Sequence, residues 1–482
     1  MNPMQPSPTP LALFAALPLV LLFGCTTRVI LGFDDGGSST GARNTSGGAA
    51  SSSGGLTSTG QSAGSTGGTT GSSTGGSASS GGSTVGSSGG LPALPAVVLL
   101  DAGLGRVFGP VAISATVEPH AFGAAKLVYS SANFQHFGVF LQALLGDGGP
   151  MGEPIPVAET SFGLASPAPN VAVAEDGAQT DICWEDYGGV PDPDSCSRLD
   201  FIGPIVTCAS IPEGEQSPQD AGYSNCGSGP SLVFNPGSDD TRLFYTRLSF
   251  DNRPYVAYWS FNSELEGCDQ IAEYGTNPAT ALASISQPSD AVLLHIIDAG
   301  PITGGLLDAG PDVVPDPASP VGLSLLILPI PMYSSCNFEQ PQFANLDPSF
   351  LPGVVAAASS SSRQVLAALE LDGLGFRAVV WQLDAGSGAI TAIPSPEPPI
   401  GPIAAVACPE GFAYVAMTAG GAALIAEQGF DGDLLADAGG FFTLEGFQSA
   451  VTSIAVAPNG DAGFFLAVSS SSQLGVYLIG CQ

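Results

Sequence analysis

Residues 353–393 read GVVAAASSSSRQVLAALELDGLGFRAVVWQLDAGSGAITAI. Short apolar runs alternate with turn clusters at Ser-Ser-Ser-Ser, Asp-Gly-Leu-Gly and Asp-Ala-Gly-Ser-Gly. Apolar runs of this length bounded by Gly, Ser and Asp are the mark of strands. Asp starts a reversal easily, and Gly supplies the positive φ that a tight one needs. The spacing predicts four antiparallel strands in about 40 residues.

The pattern recurs along the chain. VAAASSSSRQVLAALELDG (355–373) lies over YVAMTAGGAALIAEQGFDG (414–432) at an offset of 59 residues. FLAVSSSSQLGVYLIG (465–480) repeats its serine run, and LVYSSANFQHFGVFLQALLGDGG (127–149) is an earlier relative. SLVFNPGSDDTRLFYTRLSFDNRPYVAYW (231–259) is a further unit. Small meanders repeating every 50–60 residues or so point to a β-propeller. A body of about 390 residues, 91–482, then holds six to eight degenerate blades, with tandem β-sandwiches as the alternative all-β architecture.

What precedes the body is of another kind. Residues 36–90 are almost wholly Gly, Ser, Thr and Ala, with Arg43 the one charge. Too few apolar side chains are present to offset the entropy of ordering such a segment. It is expected to be a flexible linker with an r.m.s. span of roughly 40 Å. Within it, Gly60-Gln61-Ser62-Ala63-Gly64 fits the hydrolase pattern G-x-S-x-G, but that motif needs a strand–turn–helix around it. Ahead of the linker, Leu11–Gly24 is an uncharged apolar run of 14 residues. That is short for a membrane-spanning helix and right for the core of a secretion signal. Its end, Leu22-Phe23-Gly24-Cys25, resembles a bacterial lipobox. The resemblance implies cleavage before Cys25, a diacylglyceryl thioether on its sulfur and anchoring in a membrane, with Thr26 pointing to the outer one. The expected organisation is a signal peptide at 1–24, an anchor segment at 25–35, the linker at 36–90 and the β body at 91–482.

Charge and cysteines agree with export. The chain carries 43 acidic and 10 basic residues, a formal net charge of −33. Such a balance argues against nucleic acid, whose phosphates need Lys/Arg patches, and against electrostatic docking on anionic lipid. Nine cysteines less Cys25 leave Cys183, Cys196, Cys208, Cys226, Cys268, Cys336, Cys408 and Cys481. An even number in an exported body favours disulfides. Proximity in sequence favours Cys183–Cys196 and Cys208–Cys226 as local staples. No close Cys/His pairs of zinc-binding spacing occur.

Candidate chemistry is sparse. Asp-Ala-Gly recurs at Asp101, Asp220, Asp298, Asp308, Asp384, Asp437 and Asp461, each read as a turn between strands. The densest acidic cluster, Asp431, Asp433 and Asp437, offers oxygen ligands for Ca²⁺, though its spacing is not that of an EF-hand. Trp184-Glu185-Asp186-Tyr187 sets two carboxylates between aromatics, but adjacent strand residues point to opposite faces and would not share one substrate. His120, His136 and His295 form no recognisable triad. The aromatics Trp184, Tyr187, Tyr255, Tyr258 and Trp259 are the candidate binding-surface anchors. The expected function is therefore a non-catalytic binding or scaffold module on a cell-envelope lipoprotein, with an unknown protein or glycan partner and no cofactor. The alternative is an exported propeller-type enzyme acting on glycans or peptides. Mass spectrometry of the mature N-terminus should find acylated Cys25, and Cys25→Ser should leave the precursor uncleaved; an unmodified N-terminus elsewhere would overturn the lipobox reading.

Overall fold

The computed structural model describes residues 91–101, 106–116, 123–133, 136–159, 168–186, 204–235, 240–248, 254–261, 272–273, 281–286, 290–299, 322–331, 342–345, 350–360, 363–372, 375–382, 390–393, 395, 397–460 and 463–481. Cys25, Tyr187, Cys196, Cys268 and Cys336, with the expected signal peptide, anchor and linker, lie outside them.

Among the described residues the fold is all strand, in seven sheets. Six blades are consecutive: 106–159, 171–226, 228–273, 281–345, 350–393 and 399–444. Each is a four-stranded antiparallel meander, numbered first to sixth here. The seventh takes three strands from 453–479 and its outermost strand, Ala96–Asp101, from the other end of the chain. The innermost strand of each blade packs against the innermost strand of the next, and that of the seventh, Ser453–Pro458, returns to Arg106–Ala115 of the first. The ring is closed, and the described strands form a seven-bladed β-propeller. A second N-terminal piece, Ala93–Leu94, pairs in parallel with Leu434–Leu444 as a fifth strand on the sixth blade.

The four strands expected in 353–393 are those of the fifth blade: Phe350–Ser359, Gln364–Asp372, Gly375–Gln382 and Ile390–Ile393. The repeat register is corrected. Residues 414–432, 465–480 and 127–149 are each the second and third strands of a blade, whereas 355–373 is a first and second pair. The offset of 59 therefore overlaid one hairpin on a different hairpin. Strand-and-turn chemistry is alike in every hairpin, so local likeness cannot fix phase within a blade. Inner strands in fact recur at offsets of 49–69 residues.

Three inner strands start with Gly-Pro: Phe108-Gly109-Pro110-Val111, Ser228-Gly229-Pro230-Ser231 and Ile400-Gly401-Pro402-Ile403. At each the ladder slips, between Phe108 and Val111, Ser228 and Ser231, and Pro399 and Ile403. Proline has no N–H for the ladder and is tolerated at such a bulge. Glycine lets the second strand approach: a Cβ on Gly109 would lie 2.1 Å from Ser130 Oγ, and one on Gly401 2.8 Å from Met417 Cβ.

Apolar clusters straddle the seams between blades. One spans the fifth to seventh blades, with Leu369, Ile403, Phe412, Tyr414 and Phe464 all buried. The closing seam is packed like the others, joining Val98, Phe108, Tyr129, Phe465 and Val476. Val98 comes from the N-terminal strand, so the apolar core of the seam extends into the clasp.

Two disulfides have both partners among the described residues, and neither is a local staple. Cys183 pairs with Cys208, its direct partner across two adjacent strands, with Cα atoms 4.1 Å apart. The chain distance of 25 residues is irrelevant once the ladder sets the two side by side. The expected Cys183–Cys196 and Cys208–Cys226 pairs are thereby excluded; Cys226 is disulfide-bonded too. Cys408, at the end of the sixth blade's inner strand, pairs with Cys481, beyond the seventh blade's last inner-ring-derived strand Gln473–Ile479. It ties the C-terminus to the sixth blade across a separation of 73 residues. Cys481→Ser should lower stability by about 2–4 kcal/mol in urea unfolding without opening the ring, because Ala96–Asp101 still closes it. Loss of the folded state altogether would show that the disulfide, not the strand, is the closure.

Candidate functional site

In a propeller the turns between second and third strands and the links from one blade to the next fall on one face. The turns between first and second and between third and fourth strands fall on the other. Each face is assembled here from residues with distinct roles.

On the link face of the sixth and seventh blades, the loops are tied to one another. The link 445–452 runs over the turn 470–472. Gln473 Nε2 donates to the Gly446 carbonyl at 3.0 Å, and the Gln448 N–H donates back to Gln473 Oε1 at 2.7 Å. The Ser470 hydroxyl accepts from the N–H groups of Ser472 and Gln473. The Ser449 and Ser472 hydroxyls share a short hydrogen bond. Tyr477 Oη donates to the Glu445 carbonyl at 3.1 Å, and burial pushes that phenol up to about 12 with Glu445 adding to the rise. Thr418 Oγ1 closes the neighbouring turn by accepting from Ala422 N–H. Exposed on this scaffold stand Glu397, Glu445, Gln448, Thr452, Ser471 and Ser472. The result is a fixed surface of hydroxyl, amide and carboxylate groups, apt for hydrogen bonding to a polar ligand.

The opposite face carries buried acids at the seams of the second blade. Asp181 lies directly across from Ser210 in the ladder and is wholly buried. Ser210 Oγ donates to its Oδ1 at 2.5 Å and Gln179 Nε2 at 3.0 Å. The Thr241 hydroxyl of the third blade sits against it and favours its ionised form, yet neither Thr241 Oγ1 nor Asp181 Oδ2 completes a hydrogen bond. Burial pushes the Asp181 carboxyl up to about 7; the bonds from Ser210 and Gln179 and the nearby Thr241 hydroxyl oppose the rise, and the charge of Asp176 adds to it. On the other side of the same sheet Glu213 meets Lys126 of the first blade at 3.8 Å. Burial raises the Glu213 carboxyl as well, against the pull of Lys126. Asp181 and Glu213 face different neighbours, so they do not form one acid pair.

The Trp184-Glu185 stretch divides as strand alternation requires. Trp184, 6% exposed, packs with Ala112, Val128, Ile182 and Ile211 in the seam toward the first blade. It is a core residue and not a surface anchor, because its strand is sandwiched between neighbouring blades. Glu185 faces the third blade. It accepts from Gly229 N–H at 2.6 Å on Oε1 and from Asn170 Nδ2 at 2.7 Å on Oε2, and it is 1% exposed. Trp259 is half-buried against Phe261, ring centroids 4.5 Å apart. Tyr255 and Tyr258 stand on the same strand, Pro254–Ser260. Of the candidate aromatics, Trp184 is thus placed in a seam and Trp259 against Phe261.

Asp431 and Asp433 sit in a tight turn, where Asp433 N–H donates to Asp431 Oδ1 at 3.1 Å. Asp437 lies on the strand Leu434–Leu444, within a slip in its ladder. Among the described residues no three His, Cys, Asp or Glu side chains are grouped to hold a metal. Asp-Ala-Gly at Asp220 likewise falls at a ladder slip inside an outer strand, not in a turn between strands. Glycine suits a bulge as well as a turn, and the tripeptide alone does not distinguish them.

No family model and no curated protein matches the sequence. The fold is similar to solved propellers. It is similar to BP39L lectin from Burkholderia pseudomallei, at 15% identity over 75% of this chain and 93% of that one, TM-score 0.46. It is similar to the β-propeller domain of the Trilobed protease from Pyrococcus furiosus, at 10% identity over 76% and 95%, TM-score 0.41. It is also similar to an ulvan lyase of a polysaccharide lyase family, at 10% identity over 78% and 95%, TM-score 0.49.

The buried Asp181 gives a pH prediction. Its native carboxyl titrates near 7 and its unfolded one near 3.8, so the folded state keeps a proton that the unfolded state releases between those values. Asp181 then withdraws stability as pH rises through that window, by up to roughly 1.4 kcal/mol per pH unit, and its effect levels off above about 7. Asp181→Asn cannot ionise. Urea unfolding from pH 4 to 8 should show the variant gaining on the native protein with rising pH; parallel curves would refute the assignment.

Proposed function

We propose that the chain is a membrane-anchored cell-envelope lipoprotein whose propeller is a non-catalytic binding module for a glycan or protein partner. The supporting observation is the cross-tied link face of the sixth and seventh blades. Its loops are fixed before any ligand arrives, and a pre-ordered surface loses little entropy on binding. The exposed groups there are mainly hydroxyls and amides, which suit the hydroxyl-rich surface of an uncharged glycan. A net charge of −33 disfavours polyanionic partners by repulsion.

The same observation bears on catalysis. Glu185 is used to join two blades, and Asp181 is wholly buried at a seam. On this reading the acids that stood out in the sequence hold the ring together. Export, cleavage before Cys25 and the linker at 36–90 would place this face at the outer membrane, with reach set by roughly 40 Å of linker.

A glycan array probed with the body should give binding that Gln448→Ala together with Ser471→Ala weakens at least tenfold while leaving the melting temperature unchanged. Equal loss of binding and stability would assign those side chains to the scaffold. Turnover of any arrayed glycan by the purified body would replace the binding reading with the enzyme one.

A further inference from the structure

Asp181, Cys183 and Glu185 share one side of their strand, the side toward the third blade, because alternate strand residues point the same way. At the link-face end of this seam Glu185 holds the Gly229 N–H, and the buried Tyr245 lies against Gly227. In the middle sits the buried Cys183–Cys208 disulfide. At the far end stand Asp181 and Thr241, each 0% exposed. There the tie is incomplete. Asp181 Oδ1 accepts from Ser210 and Gln179, both of its own blade. Asp181 Oδ2 and Thr241 Oγ1, on the two sides of the seam, are buried without a hydrogen bond.

We propose that Asp181 is a proton-operated latch between the second and third blades. Protonated on Oδ2, the carboxyl becomes a donor, and the Thr241 hydroxyl, which can accept as well as donate, receives its hydrogen. One proton then satisfies both unpartnered atoms and joins the two blades. Ionised, the carboxyl is a charge held out of water, and the seam is loosened. The surroundings do not neutralise that charge. Arg242, next to Thr241, is paired with Asp240 at 3.3 Å, and Lys126 meets Glu213 on the other side of the sheet. Asp176 adds repulsion. Glu175 stands opposite Thr180, on the side away from Asp181. Ser210 is paired with the neutral Gln219, and the third blade's inner strand Ser228–Asn235 carries no titratable side chain. Because burial pushes the Asp181 carboxyl up to about 7, the latch is closed below that pH and released above it. Two turns hang on it. Asp176 Oδ1 accepts from the Ala178 and Gln179 N–H groups, and the Glu213 N–H donates to the Ala178 carbonyl at 2.8 Å. The turns 176–178 and 213–218 therefore start from the strand ends that Asp181 and Ser210 fix. Rising pH frees loops on the face opposite the one proposed for binding.

Amide hydrogen exchange of the full chain, followed by mass spectrometry at pH 5.5 and 8.5 with the intrinsic rates divided out, tests the latch. Segments 179–186, 205–212 and 240–248 should open about tenfold more at the higher pH, while 411–418 and 464–469 of the sixth and seventh blades hold steady. Asp181→Asn cannot ionise and should abolish the difference. Equal loosening of every blade would show a general loss of stability and no latch. A pH difference that survives in Asp181→Asn, or none in the native chain, would show that Asp181 does not control the seam. Each of these results overturns the proposal. The contrast between blades is read on the native chain alone, so the test does not depend on the variant folding.

Discussion

Everything in this structure depends on closing a ring. Seven twisted sheets packed face to face come back to their start, and the last must bury its apolar side against the first. The closure is one antiparallel pairing, Ala96–Asp101 on Gln473–Ile479, whose Val98 enters the same apolar cluster as Phe108 and Phe465. Residues from the two ends of the body thus share one blade. Without that strand the seventh blade has three strands and the seam with the first loses part of its core. The disulfide Cys408–Cys481 adds a covalent tie on the other side of the closing blade.

The seams themselves follow one rule. Their centres are apolar, and their ends are polar, where backbone groups at the starts of inner strands need partners. Second-strand side chains supply them. Ser469 Oγ of the seventh blade donates to the Gly109 carbonyl of the first at 2.9 Å. Ser130 Oγ of the first reaches the Pro169 carbonyl ahead of the second, and Glu185 of the second accepts from Gly229 of the third. Gln428 does a similar task from the third strand of the sixth blade, bonding Tyr414 Oη, Thr391 Oγ1 and the Gly432 carbonyl. The role is filled by Ser or by Glu at corresponding places, which is why no sequence signature marks it.

This division of labour bears on function. Polar residues inside the seams are committed to holding blades together, whereas the exposed ones of the link face stand on loops that are already fixed. The proposed binding function rests on that contrast between a rigid body and an exposed, prepared surface.

The sequence by itself determined the strands. Apolar runs broken by Ser-Ser-Ser-Ser, Asp-Gly and Asp-Ala-Gly specify local hairpins, since turn chemistry and period-two alternation are local properties. It also determined that Glu185 and its neighbours point to opposite faces. The all-β class and a propeller in the range of six to eight blades followed from their number. The tertiary structure decided what locality cannot. It set the phase of each blade, because a first hairpin and a second hairpin look alike. It joined Cys183 to Cys208 by ladder register and not by nearness in the chain. It sent Trp184 into a seam and made Asp181 a buried acid, because burial depends on which sheet packs against which. And it assigned Ala96–Asp101 to a blade more than 350 residues away, a pairing settled only when the ring must close.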